Sequence, residues 1–420
     1  MTGFRWNRGC KSVKNENRIV ISHNCQWIKM SLECYDIINE AIIKNYSKED
    51  LMAQFDNEGD KRYIEELVEK LFSFGALEDT SVEVEKQLSV YLVVTNRCNL
   101  SCAHCCVNAN ENKNKKDILS TKDILSIIDK LILLNPASIT ITGGEPLIRS
   151  DIYVILKYLS DRYTGKVFLM TNGLLIKKEN VMNIVPYVHN IDLSIDGVNE
   201  ETCKKIRGTG VFAGVLNAVD LLHNSGFYKI SLSMVFGEHN NNLRERFIKL
   251  NEEYGTRPIS REFTPLGRGK NNAYLFKRDV NSNVKVESCE MLRKEDKKNL
   301  YVGECGAVED GFTIDYTGYI YPCSLLLKEK YILGNIMEIG NLKEWYEERN
   351  FNKDGIENFK NLIPAYNPHC KDCIVNIFCW DCLEEMDRLS EDPELFQKRC
   401  DLKRKMLTNL VWSEEEKLYD

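Results

Sequence analysis

The sequence predicts an α/β chain: a partial (β/α)6, TIM-like barrel, with a winged-helix-like module in front and a cysteine-rich, loop-rich region behind. Three observations carry this. Strand-like apolar runs alternate with helical patterns from residue 88 to 265, a short run of strands and helices precedes them, and beyond about 285 periodicity weakens while cysteines multiply. The expected boundaries are 1–85, 86–284 and 285–420.

In the front module, "RIVISHNCQWIKMS" suggests two short strands about a turn, after a polar start. "SLECYDIINEAIIKN" then places Leu32, Ile37, Ile38 and Ile42 at helical spacing. Ser47 with Asp50 makes a capping-box start to a second helix. A third, "KRYIEELVEKLFSF", stops at Gly75, and "ALE" adds a last strand.

The middle region reads as repeated βα units. Strands are expected at 88–95, 137–142, 166–171, 190–195, 229–236 and 259–265, with helices such as "TKDILSIIDKLILL", "DIYVILKYLSDRY" and "FAGVLNAVDLLHN" between the earlier ones. Apolar strands in βα repeats imply a parallel sheet or barrel, and six units are fewer than a closed barrel needs. "NRCNLSCAHCC", "GGEP", "TNG" and "SIDG" each begin at the C-terminal end of an expected strand, where such folds place their chemistry.

The 420 residues carry a net charge of −7, which speaks against a nucleic-acid partner. From Glu33 to Asp79 there are 13 Asp+Glu against 5 Lys+Arg, so the front module offers no phosphate-binding face. No apolar run approaches the roughly 18–20 residues that span a bilayer, and the start lacks a signal-peptide core; no membrane role and a cytoplasmic location are expected. In that compartment 16 cysteines read as metal ligands rather than disulfides.

Cys98-x3-Cys102-x2-Cys105 puts three thiols on one loop. A redox disulfide needs only Cys-x2-Cys, and zinc favours cysteine pairs completing a tetrahedron. Three thiolates suit three corners of a [4Fe–4S] cube and leave one iron for a small molecule. Adjacent Cys106 is poorly aimed for a fourth corner, and His104 reads as a bystander.

With Gly143-Gly144-Glu145-Pro146 after the second strand, the triad resembles the radical S-adenosylmethionine (SAM) superfamily. The resemblance implies that Cys98, Cys102 and Cys105 hold the catalytic cluster, whose free iron chelates SAM, and that the "GGEP" segment meets the SAM ammonium through Glu145. Asn172 in Thr171-Asn172-Gly173, and Ser194 and Asp196 in "SIDG", resemble later SAM contacts, Ser194 being the ribose candidate. Arg207 matches an arginine-glycine often found after that strand.

Cys305-x12-Gly318-x4-Cys323, then Cys370-x2-Cys373-x5-Cys379-x2-Cys382 and Cys400, resembles a SPASM domain with two auxiliary clusters. The third spacing is usually x3. By position, Cys370, Cys373, Cys379 and Cys400 would hold one [4Fe–4S] cluster. Cys305, Cys323 and Cys382 would hold three corners of the other, its fourth ligand being Cys289, a substrate thiolate or nothing. Zinc on the two Cys-x2-Cys pairs is the competing reading. Ser324 stands where sulfatase-modifying relatives carry a catalytic carboxylate.

The front module resembles a PqqD-like leader-recognition element, which takes a peptide as an added strand on a sheet edge; a dimerisation module is the alternative. Together the resemblances imply three [4Fe–4S] clusters, SAM, a precursor peptide with its leader, and a reductant such as flavodoxin or ferredoxin. The implied activity is radical modification of a ribosomally made peptide, with Cys-to-carbon thioether cross-links as the product. Carbon–carbon cross-linking, other oxidation or epimerisation, and a non-catalytic iron–sulfur or zinc scaffold are the alternatives.

Overall fold

A computed structural model describes residues 3–81, 87–109, 116–276, 300 and 302–413. The chain divides into two compact units. Residues 1–85, 284–305 and 359–420 form one; 86–283 and 306–358 form the other. The front module and the last cysteine segment therefore share a unit. Cys289 lies outside the described residues.

The first unit opens with β1 (Phe4–Trp6), β2 (Lys11–Asn15), β3 (Arg18–His23) and β4 (Gln26–Ser31). Helices α1 (Leu32–Ile43), α2 (Lys48–Met52) and α3 (Glu58–Ser73) follow, then β5 (Leu77–Asp79). β2, β3 and β4 make an antiparallel sheet, and β1 pairs with β5. β1 and β2 fall within the stretch expected to be merely a polar start. Ser31 caps α1, and the Ser47–Asp50 capping box forms at α2.

Alternation along β3 explains why this sheet is covered twice. Ile19 and Ile21 face the helices and pack with Ile38, Leu67 and Leu71. Val20, with Val13 of β2, faces Val302, Ile377, Leu407 and Val411 instead. Trp27 Nε1 donates to the Leu300 carbonyl at 2.8 Å, and Lys29 Nζ to that of Val411 at 2.8 Å.

The second unit holds a nine-stranded sheet of β6 (Ser89–Val93), β7 (Ser138–Thr142), β8 (Lys166–Thr171), β9 (Asn190–Ser194), β10 (Ile230–Phe236), β11 (Arg257–Glu262), β12 (Gly311–Ile314), β13 (Tyr319–Tyr321) and β14 (Gly334–Asn335). The order is β11-β10-β9-β8-β7-β6-β12-β13-β14, parallel from β11 through β12. The helices are α4 (Thr121–Leu134), α5 (Ile152–Arg162), α6 (Glu200–Arg207), α7 (Val211–Asn224), α8 (Arg244–Glu253), α9 (Arg268–Asn271) and α10 (Leu342–Glu347), with α11 (Lys353–Lys360) at the boundary of the unit.

Two expectations need correction here. The region after 285 is not uniformly loop-rich: β12 to β14 extend the sheet beyond β6, and the first unit ends in α12 (Leu383–Ser390) and α13 (Pro393–Trp412). Nor are the strands apolar on both faces. Leu92, Ile141, Leu169, Leu193 and Leu232 are fully buried, while the alternate positions include Tyr91, Thr140, Asp192, Ser194, Ser231 and Ser233. A sheet face rich in hydroxyls suits a site rather than a dry barrel centre.

Candidate functional site

The three-thiol loop leaves β6 and is anchored at its root. Arg97 donates to both carboxylate oxygens of Asp117, at 3.1 and 2.6 Å, and Thr95 hydrogen-bonds the same group. Buried Arg149 pairs with Asp151 at 2.7 Å and donates to the Val94 and Leu119 carbonyls. The Gly144 and Glu145 N–H groups donate to Thr95 and Arg97 carbonyls, both at 2.8 Å. A Cβ at Gly143 would stand 2.6 Å from the Thr95 oxygen, and one at Gly144 2.3 Å from the Arg97 oxygen. Here the glycines serve close approach of two strand ends, so any side chain would pry β7 from the loop.

Glu145 is fully buried. Its Oε1 accepts from Thr171 Oγ1 at 2.7 Å and the Leu147 N–H at 3.0 Å, and Oε2 accepts from the Asn172 N–H at 2.8 Å. Burial pushes its pKa up, and these hydrogen bonds oppose the rise. Asn172 Nδ2 donates to Asn99 Oδ1 at 2.8 Å, so the end of β8 reaches the residue after Cys98. Pro146 is buried and opens a short turn capped by Glu145.

Beyond β9, Asp196 sits in the left-handed region at φ 47° with both oxygens engaged. Oδ2 meets Arg207 Nε at 2.7 Å and His104 Nε2 at 2.9 Å; Oδ1 accepts from the Val235 N–H at 2.6 Å. Burial alone would raise this carboxyl, but Arg207 and His104 hold it well below the usual range. Arg207 Nη1 lies 3.7 Å from Cys102 Sγ. His104 is therefore no bystander: it pairs with a strand-end carboxylate that local spacing could not announce. The hydroxyl of half-buried Ser194 accepts a long 3.5 Å contact from Ser233 Oγ.

Cys98, Cys102 and Cys105 are free thiols. Each faces one N–H donor: the Leu100 amide at 3.4 Å from Cys98 Sγ, Arg207 for Cys102, and the Ala109 amide at 3.4 Å from Cys105 Sγ. Burial pushes the Cys98 thiol up to about 11 and raises Cys102, against the pull of Arg207. Sulfurs each supplied with an N–H donor fit thiols that become anionic on binding iron. Cys106 is exposed.

In the first unit, Cys370, Cys373, Cys379 and Cys400 line one cavity with Asn376, Arg399 and Lys403. Burial pushes Cys370 up to about 12 and Cys379 to about 11. Arg399 Nη2 and Lys403 Nζ donate to the Cys379 carbonyl at 2.7 and 3.2 Å. Cys382 caps α12 and does not line the cavity. Cys305 is in the first unit and Cys323 in the second. Among the described residues, no three His, Cys, Asp or Glu side chains close on a single-ion site. A four-iron cube is larger and takes its ligands on separate irons.

Residues 92–250 match the radical SAM superfamily and residues 305–374 the SPASM iron–sulfur cluster-binding domain. The chain is 28% identical over 272 residues to mycofactocin maturase MftC of Mycolicibacterium smegmatis, covering 60% of this chain and 68% of that protein. It is 28% identical over 224 residues to a probable GTP 3′,8-cyclase of Saccharolobus islandicus, covering 52% and 71%. Its fold is similar to Streptococcus suis SuiB bound to S-adenosylmethionine, with TM-score 0.54, 16% identity, and 92% and 97% of the two chains covered. SuiB bound to precursor peptide SuiA gives TM-score 0.54, 15% identity, and 91% and 97% coverage. The chain carries a radical SAM domain followed by a SPASM domain, and with them the cofactors of those domains, S-adenosylmethionine and [4Fe–4S] clusters.

Proposed function

We propose that this chain modifies a ribosomally made precursor peptide, installing Cys-to-carbon thioether cross-links, and that its first 85 residues receive the leader. The observation that carries the radical chemistry is the loop of three thiols, each met by an N–H donor, at the C-terminal end of β6. Bound there, a [4Fe–4S] cluster with SAM supplies a 5′-deoxyadenosyl radical able to remove hydrogen from an unreactive carbon.

Cys98, Cys102 and Cys105 would hold that cluster. Gly143, Gly144, Glu145 and Pro146, with Asn172 and Ser194, would form the SAM wall. Glu145 fixes the ends of β7 and β8 against each other, and its buried carboxylate sets a negative field for an ammonium group. Asp196 and Arg207 are spent on each other, which favours a positioning role for them. Cys370, Cys373, Cys379 and Cys400, gathered round one cavity, suit an auxiliary cluster. Cys305, Cys323 and Cys382 are proposed for the second. This makes a total of three [4Fe–4S] clusters.

Support for a peptide substrate comes from SuiB, solved with precursor peptide SuiA. The sheet β2-β3-β4 ends in β2 and β4, each paired only with β3 among the described residues. An edge strand of that kind accepts an added peptide strand through main-chain hydrogen bonds. Similarity to the probable GTP 3′,8-cyclase covers 52% of this chain.

Forming each thioether removes two hydrogens from the peptide: one as an atom from carbon, one as the thiol proton, with an electron passed on to an acceptor. Co-expression with a short precursor encoded nearby is expected to give that mass loss per link, with the peptide thiol no longer alkylatable. Unchanged peptide mass beside active SAM cleavage would overturn cross-linking in favour of epimerisation. A mass loss with every cysteine still alkylatable would instead support carbon–carbon links. The reconstituted chain is expected to be brown with about 12 irons, four per cube; a colourless, zinc-loaded chain would support the scaffold alternative.

A further inference from the structure

We infer that the segment Gly267–Asn272, just beyond β11, is a clamp that sets the shape of the three-thiol loop, with Arg268 as its central positioning residue. An irregular loop has backbone carbonyls that need partners. Four carbonyls of this one, those of Cys102, Ala103, Cys105 and Ala109, meet donors from a single segment. Arg268 Nε donates to the Cys102 carbonyl at 3.0 Å and Nη1 to that of Ala109 at 2.6 Å. The Arg268 N–H donates to the Cys105 carbonyl at 3.0 Å, and Asn272 Nδ2 to that of Ala103 at 3.1 Å.

The approach is close enough to demand glycine. Gly267 has φ +53°, and a Cβ there would stand 2.4 Å from the Cys105 oxygen and 2.6 Å from that of Cys106. Asn272 Nδ2 also donates to the Arg268 carbonyl at 3.0 Å, holding the clamp in its own shape. The planar guanidinium fork bridges two carbonyls seven residues apart in the loop, a task that fixes their separation. Its donors are thereby turned onto the loop, so the segment works as a brace.

The clamp rests on the reading that Cys98, Cys102 and Cys105 hold the SAM-binding cluster. The test uses the full chain, reconstituted anaerobically. It measures iron per chain, the rate of iron loss to a ferrous chelator, and the paramagnetic resonance signal that responds to SAM. Arg268→Ala is expected to speed iron loss from the SAM-responsive cluster about tenfold, as loss of an outer partner of a metal site does, while the remaining iron leaves at the wild-type rate. Arg268→Lys, which serves one carbonyl at a time, is expected to fall between. Gly267→Ala is expected to act in the same direction as Arg268→Ala and to alter the SAM-responsive signal.

Wild-type release from that cluster in both Arg268→Ala and Gly267→Ala would overturn the clamp. So would equal loss of all iron, with Arg268→Lys no better than Arg268→Ala. The variant Cys98→Ala/Cys102→Ala/Cys105→Ala separates the two claims. If it retains the SAM-responsive signal, the reading of the thiols fails. If it loses that signal while Arg268→Ala behaves as wild type, only the clamp fails.

Discussion

Replacing Cys98, Cys102 and Cys105 together with alanine is expected to lower bound iron from about twelve to about eight per chain and to reduce 5′-deoxyadenosine release to background. Among the described residues near the loop, the two other candidates are poorly placed to take over. Cys106 is exposed, and His104 is committed to Asp196 at 2.9 Å. The four thiols of the first-unit cavity stand on separate segments around Cys370 and α13. Their iron is expected to remain. Anaerobic iron counting with chromatographic quantitation of 5′-deoxyadenosine checks both halves, and a triple variant that still cleaves SAM at the wild-type rate would sink the assignment.

Asp196→Asn is expected to destabilise the β9–β10 region by about 3–5 kcal/mol, because it strips a buried guanidinium of its charge partner. Arg207 and His104 both converge on Oδ2, and the backbone of β10 is held through Oδ1. The neutral amide keeps some of the hydrogen bonds but leaves the Arg207 cation uncompensated beside Cys102. The pH dependence has a definite sign. Asp196 has a folded-state pKa below its unfolded value of about 3.9, so its contribution is complete above that pH and fades as acid protonates the folded carboxylate. The gap between wild type and Asp196→Asn should therefore be constant near neutrality and narrow in strong acid. Hydrogen exchange of the β9 and β10 amides checks this; equal protection in the two proteins at pH 7 would contradict it.

Much of the second unit was legible because its signals are local. β6 to β10 lie within two residues of the expected strands, and α4, α5 and α7 fall where the helical patterns stood. The motifs stood out as clusters of thiols and glycines at strand ends, a placement that periodicity alone locates. What local pattern missed depends on partners distant in sequence. β12, β13 and β14 are strands of four, three and two residues, too short to carry a period, and they exist because β6 offers an edge.

The front sheet gives the same lesson. Val20 looked like an ordinary strand residue and Val13 fell in the polar start, but their shared face is buried by Val302, Ile377, Leu407 and Val411, hundreds of residues later. His104 and Arg268 are single letters whose roles local sequence does not announce. Each acquires one through a contact across the fold: His104 with Asp196, Arg268 with the carbonyls of Cys102 and Ala109. In "GGEP" the expected role fell to Glu145; the distances from Gly143 and Gly144 to Thr95 and Arg97 show that the glycines let β7 lock onto the thiol loop.

Paramagnetic resonance of the reduced chain, recorded as SAM is added, tests the central claim most directly. A cube held by Cys98, Cys102 and Cys105 keeps one iron open, so its signal should shift on SAM binding while the auxiliary signals stay fixed. A spectrum untouched by saturating SAM, in a chain carrying its full iron, would contradict it.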